Sequence, residues 1–205
     1  MFRKFSKFLL IFLPFLALFA FGFFNVLLAE AAVYKIDPDH SSVSFKIRHI
    51  VSKTKGHFND FSGTIRYDSA NPKNSATKAK IQVKSIDTGV EKRDNHLRGE
   101  DFFHADKFPE MSFETTKVTK IRKKGKQAEL IGNLTMHGIT KPVVIDVEMT
   151  GIAKDPWGNE RIGFSGSTKI NRKDFNITWN MEGKGGGLIL GDEVEIMLEI
   201  EGMRK

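Results

Sequence analysis

From residue 32 onward, apolar and polar side chains alternate with a period of two in almost every segment. That pattern predicts strands with one buried and one wet face. Val43, Phe45 and Ile47 alternate with Ser44, Lys46 and Arg48. Phe61, Ile65 and Tyr67 share one parity, as do Ala79, Ile81 and Val83. Met111 with Phe113, and Ala128, Leu130, Leu134 and Met136, continue it. Val143, Ile145, Val147 and Met149 make the next set, followed by Ile162, Phe164, Thr168 and Ile170. Val194, Ile196, Leu198 and Ile200 close the series against Glu193, Glu195, Glu199 and Glu201. With a short opening strand around Tyr34–Ile36, eight or nine strands are expected.

Turn chemistry separates these runs at Asp68–Pro72, Lys124–Gly125, His137–Gly138 and Asp155–Asn159. Gly132, Gly163 and Gly166 fall inside strand patterns, where glycine marks a bend, a bulge or a close approach of backbones. Residues 90–109 break the period. Asp94 is a candidate cap there, and Phe102, Phe103 and Phe108 supply an apolar side, so one or two short helices across a barrel end are expected.

The first 31 residues are different. Arg3, Lys4 and Lys7 precede an apolar run from Phe8 to Leu28, which ends in Ala29, Glu30 and Ala31. A basic start, an apolar middle and small residues at the end read as a secretory signal cut after Ala31. The run is also long enough to cross a bilayer, so an uncleaved anchor is the other reading. Residues 32–205 are then one domain, expected in the periplasm.

The chain has no cysteine, so neither disulfides nor thiolate chemistry is available. Its formal net charge is +7. No basic tract with interleaved aromatics points to nucleic acid. The densest basic cluster, Lys120, Arg122, Lys123, Lys124 and Lys126, reads as a solvated hairpin loop or as a contact for anionic headgroups. The six histidines show no metal-binding spacing, and no metal or cofactor is expected.

Many antiparallel strands with one apolar face must close or stack, and the steady polar parity suits an outer wall in water. The expectation is an all-β, lipocalin-like antiparallel barrel of about eight strands with one or two short helices. An apolar interior in such a barrel either fills itself or takes an apolar guest. The pattern alone does not choose.

Four motifs add a family resemblance. YKIDPDHS at 34–41 leads into VSFKIRH at 43–49, and RDNHLRGEDFF at 93–103 runs on to KFP at 107–109. LTMHGITKP occupies 134–142, and NRKDF at 171–175 precedes LGDEVEI at 190–196. In order and spacing the chain resembles the YceI-like, polyisoprenoid-binding periplasmic proteins over about residues 33–203. The resemblance implies an elongated apolar pore holding a polyisoprenoid or other long-chain amphiphilic lipid, with a homodimer as an option. Asn176 stands where that family commonly has glycine.

On this reading the lipid tail is expected against Phe45, Ile47, Phe102, Phe103, Phe108, Phe113, Leu134, Met136, Val144, Phe164, Trp179 and Ile196. His40, His96, Arg98 and His137 are the headgroup candidates, the histidines alternatively bonding to turns and Arg98 to Glu100 or Asp101. Two other classes remain open. An enzyme of isoprenoid lipid metabolism would need an acid–base pair at the pore mouth, best supplied by His96 with Asp94. A surface or structural barrel would have a filled interior.

Overall fold

The computed structural model describes residues 31–183 and 186–205. The export-segment reading covers residues 1–31, of which 1–30 lie outside the described residues. Eleven strands are formed: β1 (Ala32–Ile36), β2 (Ser42–His49), β3 (Ser52–Phe58), β4 (Phe61–Tyr67), β5 (Ala76–Gln82), β6 (Ile86–Asp87), β7 (Glu110–Arg122), β8 (Gln127–Met136), β9 (Ile139–Lys154), β10 (Glu160–Asn171) and β11 (Leu190–Arg204). One α-helix, α1 (Glu91–Arg98), is present among the described residues.

The eleven strands make eight staves. β1 and β2 lie end to end along one edge of β11: Tyr34 is opposite Arg204, and His49 is opposite Leu190. β3 and β4 together face that composite stave, and β5 with β6 faces β3 and β4 in turn. β7 to β11 continue antiparallel, each beside the one before it. The β1–β11 pairing closes the ring. The result is an up-and-down barrel, which leaves no edge along most of its girth.

The first three staves break at one height, and local chemistry explains the break. Pro38 has no N–H to offer a ladder. The Asp37 backbone N–H donates to the Glu201 carbonyl at 2.9 Å. The Ser41 hydroxyl donates to that carbonyl and accepts from the Glu201 N–H. The ladder is therefore completed by a side chain where the backbone departs from it.

Three turns form the foot of the barrel, around residues 68–75, 123–126 and 155–159. The β2–β3 turn, the β8–β9 turn, α1 and the 172–189 segment lie at the other end. Twelve residues of β10, at about 3.3 Å each and tilted by about 40°, give a wall about 30 Å tall. Gly163 sits at a register shift between β9 and β10, so its strand pattern does mark a bulge.

Residues 90–109 form one α-helix followed by turns. The helix does not use Asp94 as its cap: Val90 holds the cap position without a side-chain bond. Asp94 lies inside the first turn, buried, and accepts from the backbone N–H and hydroxyl of Thr88. It ties the helix back to the strand that precedes it. Phe102, Ala105, Val83, Ile86 and Phe175 form a buried cluster with this segment. Asn176 is left-handed, with φ 59°, a region asparagine enters more readily than most residues.

Candidate functional site

The inward parity of the staves lines one continuous cavity of about 950 Å³. It runs from Tyr67, Pro72 and Lys126 at the foot to Val90, His96 and Trp179 at the opposite end. At the foot, the turn before β5 meets the turn before β8. Pro72 Cγ stands 3.3 Å from the place a Cβ on Gly125 would occupy. The walls are Val, Ile, Leu, Phe and Met from every stave. Those side chains do not meet across the axis, so this interior is not filled by its own residues.

Among the described residues, no carboxylate lines the cavity. The charged side chains that reach it are cations: Lys92, Arg93 and Arg172 at the upper end and Lys126 at the foot. Arg172 is committed elsewhere. It donates to the carbonyls of Ile177 and Trp179 at 2.8 Å and of Gly191 at 2.9 Å, and it pairs with Asp192. Burial lowers its pKa from the usual guanidinium value, and Asp192 opposes that shift. Arg172 thus fixes the segment that carries Trp179. The Trp179 ring meets His96 edge-on at 5.0 Å and lies 5.1 Å from the Phe102 ring, forming an aromatic cap over the upper lumen.

Ten of the twelve expected tail residues line the cavity: Phe45, Ile47, Phe102, Phe103, Phe113, Leu134, Met136, Phe164, Trp179 and Ile196. Two do not. Val144 is 45% exposed on the outer wall, because the inward parity of β9 belongs to Val143, Ile145, Val147 and Met149. Phe108 packs on the β8–β9 turn, its ring 4.6 Å from that of His137 and directly over Gly138. It closes that turn and does not reach the lumen.

Among the headgroup candidates, only His96 lines the cavity, and its Nε2 lies 2.8 Å from an Asp101 carboxylate oxygen. Arg98 donates to the carbonyls of Lys84 and Ile86 and to Asn95, which holds α1 against the wall. His137 Nδ1 lies 3.0 Å from the Phe175 carbonyl. His40 pairs with Asp37 at the wall break. These three bond to turns and backbone. Lys92 and Arg93, one turn earlier on α1, also line the lumen, Arg93 while donating to the hydroxyl and carbonyl of Thr88, and their position on the helix was the missed signal. Phe58 and Met149 also line it and were legible from the strand parity; Leu97 lines it from α1, which that parity does not cover.

His96 and Asp94 do not form an acid–base pair. Asp94 is held by Thr88, and His96 turns to Asp101. Elsewhere, Asp37, His40 and Glu201 bring three possible ligand atoms within 4.8 Å of one another. Arg161 already donates to Asp37, Glu201 and Asp155. Burial pushes the Asp37 carboxyl up, but the His40 and Arg161 bonds outweigh it and hold it low. The cluster is a closed ion network at the wall break.

A closed antiparallel barrel around an apolar lumen, capped by aromatics, defines a lipocalin-like binding barrel. The comparisons specify it further. A model of the YceI-like domain matches residues 34–202, and the chain belongs to that family. A UPF0312 protein of Yersinia pestis is 41% identical over 179 residues, 86% of this chain and 88% of that protein. The crystal structure of a Campylobacter jejuni YceI protein matches at 34% identity with TM-score 0.64, over 76% of this chain and 87% of that one. A polyisoprenoid binding domain from Saccharophagus degradans, implicated in plant cell wall breakdown, shares the fold at 12% identity and TM-score 0.63. That match covers 86% of this chain and all of that one.

Proposed function

We propose that this protein binds and carries a polyisoprenoid or similar long-chain amphiphile in its lumen, in the periplasm, and catalyses no reaction on it. The observation that carries the reading is the 950 Å³ cavity walled by aliphatic and aromatic side chains from every stave. Burying each CH2 is worth up to about 0.8 kcal/mol, so one isoprene unit contributes roughly 3 kcal/mol as an upper value. Three units reach roughly 9–10 kcal/mol before the cost of association, enough for useful affinity, since 1 μM corresponds to about 8 kcal/mol.

The tail lies along the barrel axis and the polar head rests near Lys92, Arg93 and His96. Lys92 and Arg93 at the upper lumen favour an anionic head such as a phosphate or carboxylate. The polyisoprenoid-binding domain with the same fold supports the tail chemistry. The separation of Asp94 from His96 speaks against the enzymatic alternative. The N-terminal sequence supports export.

The test is lipid extraction from protein purified without detergent exchange, followed by mass spectrometry, and then uptake of an added polyprenyl phosphate. One bound lipid per chain, recovered chemically unchanged, is expected. Repeated recovery of none, with no uptake, overturns the reading; a chemically altered product overturns its non-catalytic part.

A further inference from the structure

The β2–β3 hairpin ends in a two-residue turn, Ile50 and Val51, between the paired residues His49 and Ser52. Val51 is 95% exposed and Ile50 52% exposed. Ile50 also has φ 51°, while Val51 is not left-handed. A hairpin turn with the left-handed angle at its first central residue ordinarily takes glycine there. A β-branched residue at that angle is an outlier, and Ile50 is the only β-branched residue so placed among those described. Folding stability alone would favour a polar or glycine tip. The apolar tip runs against both solvation and backbone preference.

The tip stands at the lip of the cavity. The Ile50 N–H donates to the Ile189 carbonyl at 2.8 Å, and His49 is opposite Leu190; His49, Ile189 and Leu190 all line the lumen. Two more lining residues of the same lip are exposed, Val90 at 47% and Met181 at 55%. Below the tip, Lys46 faces Lys55 and Arg48 faces Lys53 across the hairpin; Glu195 on β11, opposite Lys46, pairs with Lys53 and leaves the other three bases in excess. Like charges directly opposite one another are unfavourable in a sheet. From residue 41 to residue 59 the sequence has these four bases and no acid.

The geometry points to a membrane-docking lip. Ile50 and Val51 enter the interfacial region of an anionic bilayer, with Lys46, Arg48, Lys53 and Lys55 over the headgroups, so that the lumen opens onto the lipid. Apolar tips flanked by cations match that surface. A second copy of this chain, docked lip to lip, would set the same cations against each other. The lysine-rich turn at the foot is a weaker candidate: Lys120 and Lys123 face Glu129 and Glu148, and exposed Trp157 does not line the lumen.

This inference rests on the lipid-carrier reading for its purpose but is measurable without it. The chain has no cysteine, so Val51→Cys and, separately, Trp157→Cys accept an environment-sensitive dye at one position each. Each protein is mixed with vesicles of phosphatidylcholine alone, or with one-third phosphatidylglycerol, carrying nitroxide-labelled lipid. The dye at 51 is expected to shift to the blue and be quenched, with roughly tenfold tighter association to the anionic vesicles. The dye at 157 is expected to stay in water.

A second variant, Ile50→Gly with Val51→Asn, suits the turn and folds at least as stably. It is expected to lose most of the anionic-vesicle association and to slow lipid transfer about tenfold, while retaining its bound lipid. The inference is overturned if the dye at 51 remains aqueous, if that at 157 inserts instead, or if the 51 signal follows protein concentration without vesicles. Docking by a protein that never holds lipid would sustain this surface and sink the carrier reading. Bound lipid without docking would do the reverse.

Discussion

Phe45 on β2 lies directly opposite Gly56 on β3, and its ring occupies the space a side chain there would need: a Cβ on Gly56 would stand 2.8 Å from Phe45 Cε1 and 2.8 Å from Thr88 Cγ2. Ring and glycine together set the width of the upper lumen. Gly56→Val is expected to drive the Phe45 ring inward and to cost about 1–3 kcal/mol by overpacking. Thermal denaturation should show a lowered Tm, and lipid titration a reduced stoichiometry. An unchanged stoichiometry would mean that the ring does not bound the lipid.

Neighbouring positions on β9 give a register test. Ile145 is buried against the lumen and Val144 is exposed on the outer wall. Ile145→Glu places a carboxylate in an apolar tube and is expected to abolish lipid retention and to destabilise the barrel by several kcal/mol. Val144→Glu is expected to change stability by no more than about 0.5 kcal/mol and to leave binding intact. Equal binding losses in both variants would refute the assigned register.

Most of the wall was legible because a strand has only two faces: once Val143 and Ile145 share the core side, Val144 must face water. The expectation that Val144 touches lipid contradicts the parity rule that located its neighbours. Phe108 was illegible for another reason. It lies where the period is broken, and its seat on Gly138 and His137 depends on contacts between residues distant in sequence. The eleven-into-eight arrangement was half visible: Pro38 marks one break, but nothing local shows that Asn59–Asp60 and Val83–Ser85 fall at the same height. Arg172 lies in the NRKDF motif, but its role was illegible, since its partners are backbone carbonyls gathered by the fold.

Arg172 should therefore act at a distance on the aromatic cap. Arg172→Met leaves three carbonyls without their donor, and a loss of about 2–4 kcal/mol is expected. With Trp157→Phe as background, Trp179 is the sole tryptophan. Its fluorescence should move to the red and become more accessible to iodide. A rigid, unshifted Trp179 signal would show that the guanidinium does not hold the cap.

The ion network at the wall break predicts an acid-sensitive contribution. Hydrogen bonds from Asn159, joined by Arg161, hold the Asp155 carboxyl at about 2, against an ordinary 3.8. A depressed carboxylate stabilises the fold above its unfolded pKa, and that stability is lost as pH falls through the folded value. Asp155→Asn should thus lower Tm at neutral pH, and the gap from wild type should close between pH 3.8 and about 2. A gap that persists undiminished at pH 2 would assign the effect to something other than the charge.

Pro72 and Gly125, from neighbouring turns, both line the foot of the cavity, the end opposite to Lys92, Arg93 and His96. On the lipid-carrier reading, the distance from that foot to the upper lip is a ruler for the guest: a tail that outruns it forgoes up to about 0.8 kcal/mol for every methylene left in water.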